Sequence, residues 1–193
     1  MVLASLAGDA GAQDAVPVAG CEMHVWPTDV IKNDVSMVLF GGDELEKKKL
    51  KRGDSTVTQT LLTPELQLQA LRESSIGERL NIAADRFILE PDPQTQRAFT
   101  KSPVTAGEGC RYGFTFQMIQ FENSTLYGKE LTLFYNITDR TRGAKPRNMH
   151  WYNSEKIKAF DPQADDEAAS AVLKDGLRRV IDDVVRKKLP SAR

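Results

Sequence analysis

Residues 110–138 decide the fold. Cys110 to Phe121 reads CRYGFTFQMIQF; after the polar Glu122-Asn123-Ser124 the chain resumes from Thr125 to Thr138 as TLYGKELTLFYNIT. In the first run Tyr112, Phe114, Phe116 and Met118 alternate with Arg111, Thr115 and Gln117. In the second, Leu131, Leu133, Tyr135 and Ile137 alternate with Glu130, Thr132 and Asn136. Successive strand side chains point to opposite faces, so this alternation predicts strands with one buried and one wetter face. Two such runs joined by a polar turn predict a long antiparallel hairpin, the spine of the domain.

Towards the C-terminus, residues 139–164 are basic, polar and Pro-containing, with His150-Trp151-Tyr152 as a candidate short strand. A helix is expected over 165–189. Asp165, Asp166 and Glu167 open it and Arg186, Lys187 and Lys188 close it, complementing the helix dipole at both ends. Ala169, Leu173, Leu177, Val180 and Val184 form one apolar stripe, and Pro190 ends the run.

Towards the N-terminus the signals are shorter. Arg86 to Glu90 is strand-like, with Pro91 and Pro93 as terminators, and the polar segment 92–109 is expected to be a loop. Thr63-Pro64-Glu65 starts a helix, Thr63 capping free N–H groups and Pro64 standing where its missing donor costs nothing. Leu68, Leu71 and Ala70 form its inner face, and a second short helix runs from Ile76 to Asn81 after Ser74-Ser75. Residues 43–56 are an exposed loop or a short solvated helix. Val35 to Phe40 is a short strand or a helix turn, and Cys21 to Trp26 is a half-buried strand stopped by Pro27. The sum is an α+β domain over 21–193: a mostly antiparallel sheet built on the 110–138 hairpin, with the 165–189 helix packed on one face.

Composition narrows the function classes. The 193-residue chain carries 26 basic and 27 acidic side chains, a net charge of −1, without the basic excess of a nucleic-acid binder. It has no apolar run long enough to span a bilayer. Residues 1–20 lack Lys and Arg and are rich in Ala and Gly, with an apolar Val2 to Ala7 stretch and small residues at Ala10-Gly11-Ala12. They read as the remnant of an export signal or as a disordered tail. Val18-Ala19-Gly20-Cys21 spells a lipoprotein cleavage box, but the preceding Gln13 to Pro17 is not apolar. In an oxidising compartment the only two cysteines, Cys21 and Cys110, pair; otherwise they are buried free thiols. Each opens a strand, so the bond would join the N-terminal strand to the hairpin.

No motif with a dedicated chemistry emerges. Only His24 and His150 are available for histidine chemistry, and no paired-ligand spacing, nucleophile elbow or phosphate-binding glycine loop accompanies them. Lys47, Lys48, Lys49, Lys51 and Arg52 concentrate charge that suits an anionic membrane surface, or simply solvation. Asn123-Ser124-Thr125 and Asn136-Ile137-Thr138 are glycosylation spellings, relevant only to a eukaryotic secretory route. The reading favours a non-enzymatic binding or structural module, without cofactor or metal, that contacts a protein or envelope component through Trp26, Trp151, His24 or His150. The alternative is a small exported metal-assisted or hydrolytic enzyme using His24 or His150.

The segment Gly20-Cys21-Glu22-Met23-His24-Val25-Trp26-Pro27, the Leu62 to Leu80 stretch with Gln69 and Leu71, and the Cys110 strand leading to Tyr127-Gly128 resemble an uncharacterised group of exported alphaproteobacterial proteins. That resemblance implies an envelope location and the cysteine pair, and supplies no activity; with the export signal, the expected location is periplasmic or secreted. The order of small sheet, long hairpin and terminal helix is loosely similar to envelope-assembly modules of curli-secretion and Tol-type proteins, a likeness of fold that implies no function.

Overall fold

The computed structural model of the protein describes residues 21–34, 58–103, 109–124, 128–141, 145–157, 159–161 and 164–189. The predicted hairpin forms from β4 (Arg111–Ser124) and β5 (Gly128–Asp139), paired antiparallel from Tyr112 with Asp139 to Ser124 with Gly128. Beside it β6 (Arg147–Lys156) continues the antiparallel half of the sheet, and its ten residues extend well past the expected His150-Trp151-Tyr152. The other half is parallel. β1 (Glu22–Trp26) lies between β4 and β3 (Phe87–Leu89), and β2 (Ile31–Asp34) pairs with the far end of β4. The chain is α+β as expected, on a mixed sheet in the order β3-β1-β4-β5-β6 with β2 beside β4.

One face of the sheet is the core. Met23, Val25, Phe114, Phe116, Leu131, Leu133, Tyr135 and Ile137 are buried on it. Helix α1 (Pro64–Arg72), α2 (Ile76–Leu80) and the long α4 (Asp166–Lys188) contribute the other side. The helix-start signals read from the sequence perform their capping roles. The Thr63 hydroxyl accepts from the Leu66 N–H at 3.2 Å and the Asp165 carboxylate from the Ala168 N–H at 2.8 Å. Ala169, Leu173, Leu177, Val180 and Val184 of α4 are all buried.

Two expectations are corrected. The alternation of β4 does not run through Met118: the register shifts between Phe116 and Met118, so Ile119 and Phe121 are buried and Met118 turns to the other face. A bulge inserts one residue and flips every later side chain. The expected loop 92–109 begins with a helix, α3 (Pro93–Lys101). Asp92 caps it, accepting from the Gln94 N–H at 2.8 Å, and Pro93 takes the first helical position. Those prolines end β3 and also start a helix, a double role that polar composition conceals.

Gln67 is a core residue that no sequence pattern announces. Wholly buried, it accepts from the Thr28 N–H at 3.0 Å and donates to the carbonyls of Thr28 and Leu62 at 2.8 and 2.9 Å. It thereby fixes the turn between β1 and β2 to α1, and every polar group it buries is satisfied. The segment Val35 to Phe40 and the stretch 43–56 lie outside the described residues, as do residues 1–20.

Candidate interaction surface

The residues proposed for function divide between the two ends of the sheet. At the β1 end Cys21 and Cys110 are disulfide-bonded, with 4.5 Å between their Cα atoms. They immediately precede β1 and β4, whose parallel register sets Glu22 beside Arg111. The bond joins the N-terminal strand to the hairpin, as their positions at strand starts imply.

On the face away from the core, α3 closes over β1. The Trp26 indole donates to the Thr95 hydroxyl at 2.8 Å and packs 5.2 Å from the Phe99 ring, leaving it 4% exposed. Gly113 makes this closure fit: a Cβ there would stand 2.8 Å from Phe99 and 3.0 Å from Trp26. Arg140 donates to the Phe99 and Ser102 carbonyls and lies over the Phe99 ring, tying α3 to the end of β5. Trp26, expected to be available to a partner, is thus packed within the fold.

His24 sits beside it in a charged knot. Its Nδ1 lies 2.6 Å from a Glu90 carboxylate oxygen and its Nε2 3.3 Å from Glu22, while Arg111 and Arg86 approach Glu22 at 2.6 and 3.6 Å. Burial pushes the Glu22 carboxyl up, but the hydrogen bonds and charges of His24 and Arg111 outweigh it and hold the group below the ordinary carboxylate range.

The β6 end is open. β6 is the last strand of the sheet among the described residues, and Trp151 and Tyr152 are 44% and 69% exposed at its centre. The register sets Trp151 beside buried Tyr135, on the α4 side, where Lys188 stands 4.1 Å over the indole. Tyr152 is on the opposite face, its ring 5.6 Å from Phe134. His150 shares that face, exposed, beside Asn136. An edge strand with an aromatic on each face is the type of surface that other proteins use for contact.

α4 braces this edge from behind. Asn153 donates to Asp183 at 2.7 Å, and Asp183 also receives Lys187 at 2.7 Å and Arg186. Burial raises the Asp183 carboxyl, and these donors more than reverse it, holding the group below the usual range. Burial, reinforced by the Asp183 charge, pushes the neighbouring Tyr135 phenol well above its usual value. Between the end of β6 and α4 an open cleft is lined by Glu130, Ser154, Glu155, Asp175 and Arg179, with Arg179 placed 3.7 Å from Glu155 and 3.2 Å from Asp175.

The two histidines face the same side of the sheet, but β4 and β5 separate them, a gap of about 14 Å at ordinary strand spacing. The structure does not bring them together. Neither the cleft beside β6 nor a shallower one along α3 is lined by His24 or His150. Among the described residues no group of three or more His, Cys, Asp or Glu is placed to hold a metal ion. Among the same residues no helix is long and apolar enough to cross a membrane. Lys47, Lys48, Lys49, Lys51 and Arg52 lie outside the described residues. What sequence reading missed was α3, whose signal was Asp92-Pro93, and the edge position of β6, which alternation within one strand does not encode.

No protein-family profile matches the chain, and no curated protein matches it. Two solved structures are similar in part. One is a hypothetical protein from Chlamydia trachomatis, 10% identical over 86% of this chain and 95% of that one, with a TM-score of 0.35. The other is an uncharacterized protein, 10% identical over 88% of this chain and 94% of that one, with a TM-score of 0.28.

Proposed function

We propose that the protein is an exported, disulfide-closed module of the bacterial envelope that binds a protein partner along β6 and carries no catalytic activity. The observation that supports this reading most directly is the exposed Trp151–Tyr152 pair on an edge strand. The Cys21–Cys110 bond supports export, because such bonds persist in oxidising compartments.

Two measurements test it. Alkylation of the denatured, unreduced protein taken from cells should find no free thiol; two free thiols remove the compartment argument. A photo-crosslinking residue in place of Tyr152 should capture a protein partner in envelope fractions, whereas one in place of Ile88, 38% exposed on the opposite edge strand, should not. Equal capture at both positions, or at neither, sinks the β6 reading.

The enzyme alternative draws on one observation, the carboxylates on both sides of His24. It predicts a hydrolytic activity that His24→Gln abolishes while the fold survives. An activity unchanged in that variant ends the His24 form of the alternative, and an activity unchanged in His150→Gln as well ends it altogether.

A further inference from the structure

We infer that the partner along β6 is a second copy of this chain, its β6 paired antiparallel with the first around a two-fold axis at Trp151. This rests on the reading of β6 as the docking surface and goes on to name what docks there.

The backbone limits the arrangement first. The Ile157 N–H donates to the Lys129 carbonyl on β5, so odd-numbered residues of β6 direct their backbone groups inward to the sheet. The even-numbered Asn148, His150, Tyr152 and Ser154 direct theirs outward, with no partner among the described residues. Lys156 fits this parity, because its carbonyl accepts from Arg179 at 3.3 Å. A new antiparallel strand must match outward residues to outward residues, so a self-pairing has a residue, not a bond, at its centre.

The side chains then select one centre. With Trp151 opposite its own copy, the hydrogen-bonded pairs are Asn148 with Ser154 and His150 with Tyr152, each occurring twice. Arg147 stands opposite Glu155 at both ends, an attraction of opposite charges on the α4 side of the sheet. Arg147 is exposed and has no ion pair among the described residues. The pairing ends naturally: beyond Asn148 comes Pro146, which has no N–H to donate, and opposite it is Lys156, whose carbonyl is already held. Centring on His150 instead places Pro146 opposite Ser154 and loses a bond. Centring on Tyr152 sets Arg147 against Ile157 and Glu155 against Met149, so neither charge meets an opposite one across the strand pair, and Glu155 keeps only Arg179 of its own chain. The central register also brings His150 and Tyr152 together as a cross-strand aromatic pair and sets Trp151 beside its copy.

A ten-residue edge with no proline inside it and exposed aromatics at its centre is a template for another strand. Two-fold pairing gives both copies the same contacts and closes the assembly at two.

The test is charge reversal followed by complementation. At tens of micromolar the native protein should have twice its 21.5 kDa chain mass by sedimentation or light scattering. Arg147→Glu and Glu155→Arg should each weaken self-association by about tenfold or more, since each places like charges opposite at both ends. An equimolar mixture of the two variants should regain the native mass, because every facing pair is then opposite in charge, and this regain also shows that both variants are folded. A native protein that is monomeric at this concentration overturns the inference. So does a dimer that neither reversal weakens, or a mixture that stays apart. If the native chain is monomeric while Tyr152 still crosslinks to a different protein, self-pairing falls and the docking reading stands. If it is monomeric and Tyr152 captures nothing, both fall.

Discussion

Each end of the sheet carries one tryptophan and one histidine, and the two ends have opposite fates. At the β1 end Trp26 and His24 are covered by α3, hydrogen-bonded or ion-paired, and anchored next to a disulfide. At the β6 end Trp151 and His150 stand exposed on an edge strand. The residue types are the same, so what differs is the neighbour. A nine-residue helix held by Phe99 and Arg140 turns one aromatic face into core, and no described element does so for β6. A tryptophan on an alternating strand is therefore a packing residue or a contact residue according to what the rest of the chain lays over it.

The comparison breaks most severely if the closed end is untied. Replacing Cys21 and Cys110 by serine removes a cross-link between residues 89 apart. In the chain-entropy account that costs about 4 to 5 kcal/mol of stability. Thermal unfolding with and without the bond should show a larger drop than any of the single substitutions below. A change in midpoint of only a degree or two would mean that the unfolded chain gains little freedom when the bond is cut.

Trp26→Ala comes next. It empties the space between Phe99 and Gly113 and leaves the Thr95 hydroxyl without its indole donor. Large aromatic truncations in packed sites cost about 3 to 5 kcal/mol. Denaturant unfolding of this variant should place it near that range, and a loss under about 1 kcal/mol would show that α3 does not seal the face.

Acid sharpens the contrast further. Glu22 is held below the ordinary carboxylate range when folded, so its contribution is complete above that range and is lost as pH falls through the folded value. The Glu22→Gln variant should therefore lose less stability than the native protein between neutral pH and pH about 3, as followed by thermal unfolding at each pH. Asp183, behind β6, is also held low and keeps part of the acid sensitivity in place, so the curve should flatten in part only. An unaltered acid response would show that the His24 knot adds nothing to stability.

This division between the ends was legible only in part. The hairpin, the long C-terminal helix and the helix start at Thr63-Pro64 were readable because alternation and capping act over short range. The cysteine pair was readable because both residues open strands. The bulge at Phe116/Met118 was not, since Met118 and Ile119 are both apolar and either phase looks like a strand. α3 was hidden because its only sizeable apolar anchor is Phe99, and its docking depends on the absence of a side chain at Gly113 in another strand. Whether β6 was central or peripheral depended on sheet order, a long-range property that no window of sequence contains.

The smallest expected effect completes the comparison. Trp151→Ala removes an aromatic as large as Trp26, yet Trp151 is 44% exposed and its described ring contact is the Lys188 ammonium. Exposed substitutions away from buried networks change stability by about 0.5 kcal/mol or less. Unfolding measured at concentrations low enough to keep the chain monomeric should give that near-zero value, in contrast to Trp26→Ala. The same variant should weaken contact along β6, because aromatic residues at the centre of an interface carry a large share of its energy. A residue that costs little to remove from the folded monomer and much to remove from the complex is kept for its partner. If Trp151→Ala instead destabilises the monomer as strongly as Trp26→Ala, the β6 end is core and the distinction between the two ends fails.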